Sequence, residues 1–91
     1  MDLSLKYAID TEKVSWRVIG DELLVLNLDN GNYYDLNEVA GQVWNGIIEK
    51  KSLGEIFETL KKEYRVDEKR LESDLKKIVA ELQKEKLITP R

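Results

Sequence analysis

The sequence predicts an α+β domain in which three helices gather on one face of a small antiparallel sheet, and a change of apolar period carries that expectation. Up to Leu36, apolar residues recur mostly at every second position, whereas beyond Asn37 they follow helical spacing. The only proline, Pro90, stands near the C-terminus, so nothing interrupts the helical half. Ninety-one residues with 42% hydrophobic content can supply one modest core, which predicts a single domain over residues 1–91, with strands at about 3–36 and helices at about 37–88.

In the first half, Leu3, Leu5, Tyr7 and Ile9 alternate with polar or small residues, as do Val14, Trp16 and Val18, the pattern of half-buried extended segments. The run Leu23-Leu24-Val25-Leu26, ending at Leu28, predicts a central strand covered on both faces. Gly20-Asp21 before it suits a tight hairpin, and Asp29-Asn30-Gly31 after it tolerates positive φ. Tyr33, Tyr34 and Leu36 then form a short third strand, which a meander leaves at one side of the sheet.

Asn37 suits the N-cap of a first helix carrying Val39, Ala40, Val43, Trp44, Ile47 and Ile48. Ser52 and Glu55 form a capping-box pattern, and Leu53, Ile56, Phe57, Leu60 and Tyr64 give the second helix one apolar face. Asp67 can cap a third helix, with Val66 and Leu71 as a hydrophobic staple and Leu71, Leu75, Ile78, Val79 and Leu82 as its stripe. Leu87 and Ile88 are expected to close the core. A winged-helix arrangement satisfies this order, and that architecture serves both nucleic-acid reading and peptide or protein binding, so the site has to decide.

The chain has no histidine and no cysteine, which removes the usual neutral-pH base, the thiolate nucleophile and the best transition-metal ligands together. Asp21 with Glu22 and Glu55 with Glu58 read as ordinary turn and helix-surface carboxylates. Gly41 and Gly46 have P-loop spacing, but Ile47 and Ile48 stand where Lys and Ser or Thr are needed, so close packing or a loosened helix end is the expected reason for the glycines. The expectation is a protein that is not an enzyme and takes no cofactor or metal. A net charge of −3 provides no phosphate-binding stripe, because Lys61, Lys62 and Arg65 share their helix with Glu55, Glu58 and Glu63. Neither nucleic acid nor membrane is therefore an expected partner. With no signal-peptide pattern and no apolar stretch near the roughly 18 residues of a membrane span, cytoplasmic residence is the default.

Edge strands are normally guarded by Lys, Pro or a bulge, yet Asn32-Tyr33-Tyr34-Asp35-Leu36 contains neither Lys nor Pro. Such an edge invites an added peptide strand, and tyrosines offer flat contact area there. A plainer alternative is that Tyr34 and Leu36 are core while Tyr33 lies on the surface.

The order of features also resembles a known family. Asp21-Glu22-Leu23-Leu24-Val25-Leu26, Gly31-Asn32-Tyr33-Tyr34-Asp35-Leu36-Asn37, a helix with Val43-Trp44, a capped helix and a long final helix look like the PqqD-like peptide-recognition elements used in making ribosomal peptides that are later modified. The resemblance runs from about Val14 to Ile88. It implies a winged helix-turn-helix that does no chemistry itself, binds the leader of a precursor peptide antiparallel to the third strand, and takes leader side chains into a groove beside the third helix. Carried onto this sequence, the strand is Tyr33, Tyr34 and Asp35, and the groove wall is Leu71, Asp74, Leu75 and Ile78. The paired tyrosines and Trp44 look most like the recognition protein of lasso-peptide pathways, where a leader protease and a cyclase act on the bound precursor. A peptide chaperone of quinone-cofactor biosynthesis is the neighbouring alternative. A winged-helix DNA-binding regulator and an adaptor dimerising through the third helix's stripe complete the set.

Overall fold

A computed structural model describes residues 2–91. Its elements run β1 (Tyr7–Ala8), β2 (Val14–Ile19), β3 (Glu22–Asn27), β4 (Tyr33–Leu36), α1 (Glu38–Ile48), α2 (Leu53–Glu63), α3 (Glu68–Lys84) and β5 (Thr89–Pro90). β2, β3 and β4 form an antiparallel meander, and the three helices lie on one of its faces. The α+β winged-helix arrangement expected from the change of period is the one observed.

The β2–β3 turn is the two-residue Gly20-Asp21 link, with Gly20 at φ +62°, a conformation available to glycine at little steric cost. Beyond β3, Gly31 at φ +74° donates its N–H to the Asn27 carbonyl at 2.8 Å. The Asn27 side chain completes that turn. Its Oδ1 accepts from the Asp29 and Asn30 N–H groups, and its Nδ2 donates 3.1 Å to the Glu85 carbonyl at the end of α3. Asn27 is 4% exposed, so these three bonds satisfy a polar group that would otherwise be costly to bury.

β3 is central, as its apolar run predicts, but it is not covered on both faces. Leu23 and Val25 are buried beneath the helices, while Leu24 and Leu26 point the other way and remain half-buried, because no layer covers that side. They line a shallow hollow of about 270 Å³ with Ser15, Arg17, Ile19 and Tyr33.

The N-terminal segment also departs from expectation. Only Tyr7–Ala8 forms a strand, which pairs with β5 outside the main sheet, and Leu3 and Leu5 are exposed. The backbone serves α2 instead. The Leu5 carbonyl accepts from the Leu53 N–H at 2.9 Å and the Leu3 carbonyl from the Gly54 N–H at 2.8 Å. Together with the reciprocal Ser52–Glu55 capping box, these bonds occupy the first three N–H groups of α2, which have no partner inside the helix.

Asn37 caps α1 as expected, accepting from the Ala40 N–H at 2.9 Å. Gly46 lets α1 lie close on α2, since a Cβ there would stand 2.5 Å from Ile56 Cγ1. Asp67 occupies the N-cap of α3 but its side chain makes no capping bond, and Val66, expected to pack on Leu71, is 45% exposed. The start of α3 is tied to α2 through Lys61, whose Nζ lies 2.8 Å from Glu68. At the other end Leu87 and Ile88 complete the core. Trp44 is fully buried at its centre, with Trp16 edge-on at 5.6 Å, and its Nε1–H has no hydrogen-bond acceptor among the described residues.

Candidate peptide-binding edge

β4 pairs with β3 along one side only, in the register Leu26–Tyr33, Val25–Tyr34, Leu24–Asp35 and Leu23–Leu36. One bond sets the parity of this ladder. The Asn27 N–H donates to the Asn32 carbonyl at 3.0 Å, so this pair, continuing the same register, is hydrogen-bonded. Antiparallel alternation then makes Val25–Tyr34 and Leu23–Leu36 hydrogen-bonded pairs as well. Tyr34 and Leu36 direct their backbone groups to β3. Tyr33 and Asp35 direct theirs to the open edge.

The side chains divide the same way. Tyr34 and Leu36 are half-buried and pack against the core, whereas Tyr33, 70% exposed, and Asp35 lie on the outer face with Leu24 and Leu26. This is the plainer of the two arrangements expected, with Tyr34 and Leu36 packed on the core and Tyr33 on the surface. The other edge of the sheet is β2, which carries Arg17 and follows Lys13, the positive charge that discourages edge pairing.

The groove wall expected on α3 divides into two layers. Leu71 at 3% and Leu75 at 0% exposure belong to the core, while Asp74 and Ile78 are half-buried beside it. Asp74, Ile78, Glu81 and Glu85 follow at spacings of four, three and four, so they share one side of the helix. That side faces β4, because the Tyr34 hydroxyl donates 2.8 Å to Glu85 Oε2. The structure thus ties Tyr34 to Glu85 at the end of α3, leaves Asp74 and Ile78 half-buried further towards the start of that helix, and sets Tyr33 and Asp35 on the opposite face of the strand.

Tyr64 marks the opposite corner. Its hydroxyl accepts from Gln42 Nε2 at 3.2 Å, and burial, followed by the neighbouring Glu38 carboxylate, raises the phenol above its ordinary range. Since Tyr64 precedes α3 closely and Glu38 follows β4 closely, the strand and the helix run past one another in opposite senses. Asn27, Glu81 and Glu85 were not singled out by sequence, and Tyr64 was read only as part of the apolar face of the second helix. Asn27 could have been found, because it continues the two-residue phase of Leu23 and Val25 onto the buried face. Among the described residues no three or more His, Cys, Asp or Glu side chains are grouped to hold a metal ion, and no helix is long and apolar enough to cross a membrane.

The family described as coenzyme PQQ synthesis protein D (PqqD) matches residues 22–88, which includes β3, β4 and all three helices. A solved structure of TbiB1 in complex with the TbiA(beta) leader peptide is 31% identical, with 89% of this chain and 93% of that one covered at a TM-score of 0.82. A lasso peptide synthetase B1 complexed with its leader peptide has a TM-score of 0.84 over 93% of this chain and 99% of that one; at 20% identity it speaks for the fold alone. No curated protein sequence matches. With most of its length inside the family match and a relative of the same size above 30% identity, this chain belongs to the PqqD family.

Proposed function

We propose that this protein binds the leader segment of a ribosomally made precursor peptide as an antiparallel strand on β4 and delivers it to a leader protease and a cyclase in lasso-peptide maturation. The observation that carries this reading is the open edge itself. Two N–H and two C=O groups of Tyr33 and Asp35 point away from the sheet, and on this proposal Asp74 and Ile78 of α3 form the wall beside the added strand. Strand addition uses such groups for affinity and the neighbouring side chains for selectivity. The leader-bound state of the 31% identical relative supports the same reading. On this proposal the protein is a carrier that leaves bond-making and bond-breaking to its partners.

The family's description favours a second reading, a peptide chaperone in quinone-cofactor biosynthesis, with the same edge and a different leader. Titration with synthetic leaders of the two classes, followed by amide NMR, separates them. The expected result is binding of a lasso leader with large shifts at Tyr33 and Asp35. Binding that leaves those amides unmoved would rule out strand addition on β4. The variant Asp35→Pro removes an N–H that β3 does not use and should weaken leader binding at least about tenfold, while the fold, read by circular dichroism, persists.

A further inference from the structure

We infer that β4 selects a strand with a basic side chain directly opposite Asp35, set between two apolar residues that turn inward. The inference rests on the proposed strand addition and names the class of peptide that the edge accepts.

In an antiparallel addition, the peptide residue opposite each β4 residue points to the same face as that residue. Opposite Leu36 and Tyr34, peptide side chains turn towards the helix side, where Leu36, the Tyr34 ring and Ile78 offer half-buried apolar surface. Between those two positions, the residue opposite Asp35 stands on the outer face, about 5 Å from the strand that bears the carboxylate. Asp35 is exposed, and among the described residues it has no ion-pair or side-chain hydrogen-bond partner.

Arg17 occupies the same row, since Leu24 pairs with both Arg17 and Asp35. It lies two strands from Asp35, roughly 10 Å, and three strands from the added peptide, roughly 14 Å. The latter distance exceeds the Debye length of about 8 Å at physiological salt, so Arg17 opposes a basic peptide residue little. The wall on the inner side is also acidic, at Asp74, Glu81 and Glu85, although Arg70 and Lys77 follow a step further round the helix. Read along the peptide, the accepted pattern is apolar, basic, apolar.

The probe is a displayed library of 14-residue peptides, with four consecutive random positions inside a Thr/Val strand-forming frame, selected separately on the wild-type protein and on Asp35→Lys. Wild type should enrich Lys or Arg at one position between apolar neighbours, and exchanging that residue for Glu should weaken binding about threefold to tenfold at low salt. Asp35→Lys should reverse the preference to Asp or Glu at the same position. Asp35→Asn should abolish it without reversal, and Asp29→Lys in the β3–β4 turn should retain it. Selected peptides that shift the Tyr33 and Asp35 amides yet show no charge preference, or a preference that Asp35→Lys leaves unchanged, would overturn the inference and leave strand addition standing. A library from which no peptide shifts those amides would overturn both.

Discussion

Two buried polar groups show how differently single residues carry structure here. Asn27 has both polar side-chain atoms engaged, two acceptor bonds within the turn and one donor bond to the end of α3, whereas the Trp44 N–H has no acceptor among the described residues. Removing the amide deprives two turn N–H groups and the Glu85 carbonyl of their partner at once. Asn27→Ala should therefore cost about 2–3 kcal/mol in denaturant unfolding, more than a single typical hydrogen bond is worth. Tyr34→Phe removes only one partly buried bond, to Glu85, and should cost about 1 kcal/mol. These residues were hard to read from sequence, because an Asn beside a turn looks like turn chemistry until the turn is seen packed on a helix end. Glu85 was harder still, since a carboxylate at a helix C-terminus opposes the dipole and gains its role only through Tyr34.

Among the elements, α1 contains an internal comparison of two glycines. At Gly46 a Cβ would collide with Ile56 on α2, while at Gly41 its nearest neighbour would be Leu23 Cδ2 at 3.9 Å. Gly46→Ala should destabilise by about 1–2 kcal/mol despite the better helix propensity of Ala, whereas Gly41→Ala should stabilise by about 0.5–1 kcal/mol. Opposite shifts of the unfolding midpoint would verify the pair. At the start of α2, the Ser52 backbone bond and then the Ser52 hydroxyl hold the Glu55 carboxyl below its ordinary value of 4.5. A depressed folded-state pKa contributes stability that is present above the unfolded value and lost as pH falls through the folded one. Glu55→Gln should therefore unfold with a shallower pH dependence on the acid side, while the two proteins keep parallel behaviour near neutrality. The capping box was visible in the spacing of Ser52 and Glu55. The contribution of the Leu3 and Leu5 carbonyls was not, because backbone acceptors leave no mark on residue type, and the alternation at residues 3–9 suggested a strand instead.

For the molecule as a whole, sequence period carried most of the fold. Strands at β2, β3 and β4, three helices and the closing Leu87-Ile88 follow from where apolar residues repeat, because one-sided burial enforces that repetition. Periodicity could not tell that the outer face of β3 has no cover, since Leu24 and Leu26 are as apolar as their buried neighbours. It likewise could not divide the groove wall expected on α3 into core at Leu71 and Leu75 and half-buried positions at Asp74 and Ile78, a distinction of about one residue in helical phase. If a peptide binds the folded edge and not the unfolded chain, saturation at about 100 times its Kd should raise stability by about 2.7 kcal/mol. Differential scanning fluorimetry with and without peptide measures this, and Asp35→Pro should lose most of the gain.

β4 is only four residues long, bounded by the Gly31 turn before it and the Asn37 cap after it. Two residues' worth of outward backbone groups allow at most a handful of bonds to an incoming strand, all at the solvent boundary, where each is worth about 1 kcal/mol. Differences in affinity between related complexes lie mostly in the departure rate, so so small a footprint implies brief residence. That brevity suits the proposed role of carrier, because a strand that leaves quickly can be passed on, and the vacated edge can accept the next.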